Sequence, residues 1–184
     1  MTRESEHNKY KEAYKGTYGM GKARRLAAYD AIDRIDVRHS LLDVGCGRGE
    51  ILSYAIEKGY LNVYGVDVVP SLFNENVSFG EAYSLPFADD AFDVVTCFDV
   101  VEHLLTEDTI ESLKEFDRVA KHAVVISAAN YPSYCNGVDL HINKRPYSEW
   151  DELIHAHIKG KVNWIDKTNR THSETWVICK EERE

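Results

Sequence analysis

Two rhythms of apolar and polar positions alternate along the chain. In residues 22–35, Leu26, Ala27, Ile32 and Ile35 recur at helical spacing and predict a helix. Ser40–Val44 (SLLDV) is an apolar run of strand length, and 50–58 predicts a helix stopped by Gly59. Residues 62–66 form a second predicted strand. Residues 70–76 leave room for a short helical turn, and Val77–Phe79 for a short third strand. The continuous apolar run 92–98 (FDVVTCF) predicts a strand buried on both faces. Thr106–Val119 places Ile110, Leu113, Phe116 and Val119 on one helical stripe. Residues 123–127 (AVVIS) predict a fifth strand. Residues 131–145 read as a polar and aromatic loop, and Pro146, at a first helical position, opens a helix to about residue 157. Segments 162–166 and 175–179 close the chain as a hairpin-like pair. Residues 1–20, rich in Tyr and Lys, read as irregular to weakly helical.

Strands alternating with helices imply a doubly wound α/β fold whose mostly parallel sheet has right-handed crossovers. The closing hairpin adds one antiparallel strand. The length of 184 residues predicts one domain over 1–184, with an N-terminal arm at 1–21 and a loop at 128–146 over the sheet edge. In such folds ligands bind beyond the carboxyl ends of the strands, so the residues following each strand are the candidate site.

The first of these turns is the most specific. Residues 41–50 read LLDVGCGRGE, with Gly45, Gly47 and Gly49 at a strand-to-helix turn where backbone passes close to a ligand. Asp67 follows 18 residues after Gly49, at the tip of the next strand. An acid there can accept hydrogen bonds from a ribose diol. A dinucleotide fingerprint would read G-x-G-x-x-G with a pyrophosphate on the helix N-terminus. Here the spacing is G-x-G-x-G, and Asp43 precedes the first glycine by two residues. That acid would repel a pyrophosphate and suit a cationic amino group, which disfavours a nicotinamide-dependent oxidoreductase.

The D-x-G-x-G-x-G turn with Asp67 resembles motif I of the class I S-adenosylmethionine-dependent methyltransferases. Residues 80–95 (GEAYSLPFADDAFDVV) resemble that family's G-D-A-x-x-L-P-F segment followed by F-D-x-V. Residues 97–104 (CFDVVEHL) resemble its motif IV and the helix after it. The resemblance spans residues 41–179 and implies a seven-stranded Rossmann-like sheet and S-adenosylmethionine as cofactor. The implied cofactor-binding set is Asp43, Gly45, Cys46, Gly47, Asp67, Val68, Glu81, Ala82 and Phe98. In it, Glu81 accepts from the adenine amino group, the Ala82 N–H meets a ring nitrogen, and Phe98 lines the methionine moiety. Asp43 either orients the turn or contacts the ammonium. Asp99, Glu102 and His103 lie near the departing methyl group. The chain departs from the family pattern in its short segment after Asp67 and in Glu81, where Asp is commoner. No Asn-Pro-Pro-Tyr follows the fourth strand, which lowers a DNA adenine reading.

Methyl transfer needs a base only if the acceptor holds a proton at attack. His103 and His141 are the base candidates by their ordinary titration range, with Asp99 beside them; either histidine has the alternative of a hydrogen-bonded structural role. His141 sits in a polar loop after the fifth strand and is expected at the acceptor mouth. Tyr10, Tyr14 and Tyr18 are expected to close as a lid from the other side. A metal site is not expected: His155 and His157 do not share a helix face, and no convergent ligand set is legible.

Charge narrows the partners. The net charge is −9, yet residues 1–25 carry seven basic against three acidic side chains. The acidic remainder argues against broad nucleic-acid backbone binding. No apolar run reaches membrane-spanning length and no secretory leader is legible. Scattered Cys46, Cys97, Cys135 and Cys179 fit buried thiols, so a cytoplasmic setting is expected. The expected acceptor is soluble: a small molecule, sugar or nucleotide, or else a short exposed protein segment. The alternative is a non-catalytic module of the same fold that binds S-adenosylmethionine or S-adenosylhomocysteine.

Overall fold

A computed structural model describes residues 2–166 and 173–180. In chain order the elements are α1 (Arg3–Ala13), α2 (Lys22–Asp33), β1 (Ser40–Val44), α3 (Glu50–Glu57), β2 (Asn62–Asp67) and β3 (Val77–Phe79). There follow β4 (Phe92–Cys97), α4 (Thr106–Val119), β5 (Ala120–Ala129), β6 (Tyr134–Cys135), β7 (Val138–Asp139), α5 (Tyr147–His157), β8 (Lys161–Asp166) and β9 (Ser173–Cys179). Single 3-10 turns lie at Pro70–Leu72 and Val101–His103.

Seven strands form one sheet in the order β3-β2-β1-β4-β5-β9-β8. The pairs β3·β2, β2·β1, β1·β4 and β4·β5 are parallel, and β9 runs antiparallel to both β5 and β8. Chain order reverses between β1 and β4, so the switch point lies beyond the carboxyl ends of those two strands.

Alternating side chains of the central strands feed two cores. Leu42, Val95, Val124, Ile126 and Ile178 pack with Leu113 and Phe116 of α4 and Trp150 and Ile154 of α5. Leu41, Val94, Val125 and Val177 pack with Ala28 and Ile32 of α2 and Ile51 and Ala55 of α3. Burial on both faces is why these strands read as continuous apolar runs.

Four local readings are corrected. Residues 3–13 form a full helix, started by a reciprocal cap in which the Ser5 N–H donates to Thr2 Oγ1 and Ser5 Oγ bonds back to Thr2. The helix lacked an apolar stripe because it packs tyrosines over a polar cleft rather than over a core. Residues 134–139 form a small hairpin through Asn136-Gly137, both at positive φ, as a type I′ turn requires. Pro146 caps α5 from outside instead of entering it. Strand β5 starts at Ala120, directly after α4, and runs to Ala129, longer than its apolar run suggested.

Candidate active site

The glycine turn is built for close approach. Gly45, Gly47 and Gly49 have φ of 72°, 52° and 79°, a region open to glycine and strained for most other residues. A Cβ on Gly45 would run into the Val100 side chain, and one on Gly47 would stand 2.5 Å from the Tyr14 hydroxyl. The Gly45 and Cys46 N–H groups donate to the Val66 carbonyl at 2.8 and 3.1 Å. Asp67 locks the same turn to the tip of β2: Gly47 N–H donates to its Oδ2 at 2.9 Å and Val69 N–H to its Oδ1 at 3.0 Å. Burial pushes the Asp67 carboxyl upward while these backbone donors oppose the shift.

Two adjoining cavities open at the switch point. One, of about 120 Å³, brings together Gly45, Asp67, Val68, Glu81, Ala82 and His103. The other, of about 70 Å³, brings together Asp43, Cys46, Gly47, Glu50 and Phe98. Asp99 and Gly45 line both. All nine residues expected around a cofactor thus line one or other of these two adjoining cavities. Asp43 is buried, with the Thr96 hydroxyl donating to its Oδ1 at 2.7 Å. Burial pushes its carboxyl up to about 7; the Thr96 bond opposes this, and the neighbouring acids Asp67 and Glu50 add to it.

The N-terminal arm roofs the cleft. Tyr14 and Tyr18 line both cavities, and Tyr10 and His7 line the larger. His7 Nε2 stands 3.5 Å from Glu81 Oε1. Arg48, next to the glycine turn, holds the arm by donating to the carbonyls of Tyr14, Gly16 and Tyr18 at 3.1, 2.8 and 3.2 Å. At the far end Arg3 forms a two-pronged ion pair with Asp108 in the first turn of α4.

Beyond the end of β4, Asp99 sits at φ 54°. Its N–H donates to Ser127 Oγ at 3.0 Å, and its Oδ2 pairs with Arg24 at 2.9 Å. His103 is buried, with Nδ1 2.9 Å from the Leu140 carbonyl. Burial, reinforced by His141, pulls its pKa down to about 3, against the pull of the Leu140 and Asp99 carbonyls. His141 departs from expectation. It is only 1% exposed, its Nδ1 lies 2.6 Å from the Tyr131 carbonyl, and it lines neither cavity. Its ring packs edge-on behind His103, centroids 4.6 Å apart. The loop carrying it is clamped down: Asn143 N–H donates to the Glu102 carbonyl at 2.9 Å, and Asn143 Nδ2 to Thr109 Oγ1 at 2.7 Å. Burial lowers the His141 pKa.

Glu102 adjoins His103 in the E-H pair after β4. It is fully buried; Oε1 accepts the Ala129 N–H at 3.2 Å and Oε2 has no partner. Burial, with Asp99 nearby, holds its carboxyl far above the usual range. Donor atoms of Glu102, His103 and His141 all lie within 4.8 Å of one another. The fold therefore joins an acid and two imidazoles that spacing along the chain did not connect, where no ligand set was expected.

A glycine turn, an acid at the tip of β2 and a cleft at the switch point mark a protein of the doubly wound class. The methyltransferase domain profile matches residues 42–127. An uncharacterized methyltransferase of Bacillus subtilis, YcgJ, is 29% identical over 134 residues, which are 66% of this chain and 52% of that protein. The chain thus spans about half the length of that relative. In the complex of the Haloferax volcanii Trm112 methyltransferase activator with a candidate methyltransferase, the matching chain superposes with a TM-score of 0.72 at 17% identity, over 100% of both chains. Magnesium protoporphyrin IX methyltransferase of Synechocystis, crystallised with S-adenosylmethionine, superposes with a TM-score of 0.66 at 16% identity, over 95% of this chain and 90% of that one. The two structural likenesses establish the shared fold. Residues 42–127 are thus similar to a methyltransferase domain. Among the described residues, no helix is long and apolar enough to cross a membrane.

Proposed function

We propose that this chain binds S-adenosylmethionine in the joined cleft and transfers its methyl group to a soluble acceptor: a small molecule, sugar or nucleotide. The carrying observation is the convergence of Asp67, Glu81 and Asp43 along one cleft beside the glycine turn. Three acids suit a ligand with a ribose, an adenine amino group and an ammonium. They do not suit a pyrophosphate.

The residues of this chain divide the work by position. The Asp67 oxygens already accept backbone N–H groups, and the carboxylate keeps lone-pair capacity for a ribose hydroxyl. Glu81 and the Ala82 N–H stand at the adenine end. Asp43 lies where an ammonium would offset the cost of ionising it. The cofactor when bound supplies an activated methyl group on a sulfonium. The protein then has to hold the acceptor in line and exclude water, which the tyrosine roof does. His103 lines the cleft beside Asp99, and His141 packs edge-on behind it. Cavities of about 120 and 70 Å³ are small beside the roughly 300–1,000 Å³ of typical ligand sites, so the arm lifts to admit ligand.

A non-catalytic module is the second reading, favoured by the deep depression of the His103 pKa, which makes it a weak base at neutral pH. Incubation with S-adenosylmethionine and panels of hydroxylated small molecules, sugars and nucleotides, read by S-adenosylhomocysteine release, separates the two. Acceptor-dependent release supports the enzyme. Tight cofactor binding with no release on any panel supports the module.

A further inference from the structure

The buried cluster beneath the acceptor side has the construction of a cation site. We propose that Glu102, His103 and His141 bind one first-row divalent metal ion, with Asp99 beside them at the wall of the cleft. Three features support this. Both histidines direct Nδ1 at a backbone carbonyl, Leu140 for His103 and Tyr131 for His141. That arrangement fixes the proton on Nδ1 and leaves Nε2 as a lone-pair donor, the orientation that metal-binding imidazoles receive from their outer partners. His141 Nε2 points to the carboxylate side, 4.0 Å from Glu102 Oε1. Glu102 Oε2 is a fully buried carboxylate oxygen without a hydrogen-bond partner. An orphaned acceptor at that depth costs stability unless something satisfies it.

The spacing fits with modest movement. Metal–ligand bonds of about 2.0–2.2 Å place neighbouring donors of a tetrahedral shell about 3.5 Å apart. The three donors lie within 4.8 Å of one another, so side-chain shifts of about an ångström close the shell. Two imidazoles and a carboxylate suit Mn²⁺, Fe²⁺, Co²⁺ or Zn²⁺ better than Mg²⁺ or Ca²⁺, which favour oxygen ligands. Through His103 and Asp99 the site borders the cleft, so an acceptor oxygen in the cleft is the candidate for a further ligand. On the methyl-transfer reading, this selects hydroxyl-bearing acceptors, since a bound cation acidifies a coordinated hydroxyl. That consequence rests on the proposed function; metal binding itself does not.

The test is titration of chelator-treated full-length protein with Mn²⁺, followed by paramagnetic resonance, with S-adenosylhomocysteine binding measured on the same samples. One bound ion per chain is expected, with imidazole nitrogen hyperfine coupling in the wild-type spectrum. Glu102→Gln and His141→Ala should each weaken binding at least about tenfold, while the exposed His155→Ala should not. Absence of stoichiometric binding at millimolar Mn²⁺, an oxygen-only spectrum, or affinity unchanged in both variants would overturn the site. The wild-type spectrum decides the question even if a variant fails to fold. Cofactor binding without metal binding refutes the cation site alone, and metal binding without cofactor binding refutes only the methyltransferase reading.

Discussion

Asp67 anchors the Gly47 N–H and, on the proposed function, also accepts from the ribose, so its removal should take away both. Hydrogen bonds to a charged group are worth about 1.5–3 kcal/mol each, so Asp67→Ala should weaken S-adenosylhomocysteine binding at least about tenfold by calorimetry. An unchanged affinity would remove Asp67 from the ribose. Asp43 gives a pH signature. Its folded-state pKa, about 7, lies above the unfolded carboxyl value of about 3.9. Between those values the folded protein holds a proton that the unfolded chain has lost, so stability without ligand falls as pH rises from about 4 to 7. A bound ammonium favours the ionised acid, so cofactor affinity should rise with pH to about 7 and then level. Asp43→Asn should flatten both curves; a binding profile unchanged by that substitution would place the ammonium elsewhere. Residue positions were legible where a turn fixes them. Gly45, Gly47 and Asp67 could be placed because a glycine turn and a strand tip leave few alternatives. His141 was misplaced because loop polarity does not reveal burial: its partners are backbone carbonyls, which leave no trace in a sequence pattern.

Among the elements, the arm of α1 and the residues following it is the proposed lid. Its contacts with the body include the Arg48 bonds to three carbonyls and the Arg3–Asp108 pair, polar contacts of the kind that open locally. Ligand beneath the tyrosines should favour the closed form. Trypsin cleavage after Lys9, Lys11 and Lys15 should slow when S-adenosylhomocysteine is added, and Arg48→Ala should speed cleavage of the ligand-free protein. Equal rates with and without ligand would remove the lid. The two core helices carry stability instead. Phe116 of α4 is fully buried, so Phe116→Ala should cost about 3–5 kcal/mol in urea unfolding. The element readings succeeded where a helix or strand packs on apolar neighbours, as α4 and β4 do. They failed for α1, whose inner face meets tyrosines and a cleft, and for β6 and β7, whose turn residues were there to be read at Asn136-Gly137.

For the whole molecule, the alternation of strands and helices was enough to give a doubly wound sheet with one antiparallel strand, because crossover handedness and burial on both faces leave few topologies. The order β3-β2-β1-β4-β5-β9-β8 then sets the switch point under the glycine turn. The meeting of Glu102, His103 and His141 was not legible, since it depends on how the 130–146 connection returns over the sheet edge. The central claim is that this cleft takes a nucleoside bearing an amino acid and excludes a dinucleotide. Calorimetry of the wild-type protein with S-adenosylmethionine, S-adenosylhomocysteine and NAD tests it most directly. One-to-one binding of the first two and none of the third is the predicted result. Failure of both sulfur nucleosides to bind at millimolar concentration, or tighter binding of NAD, would contradict it.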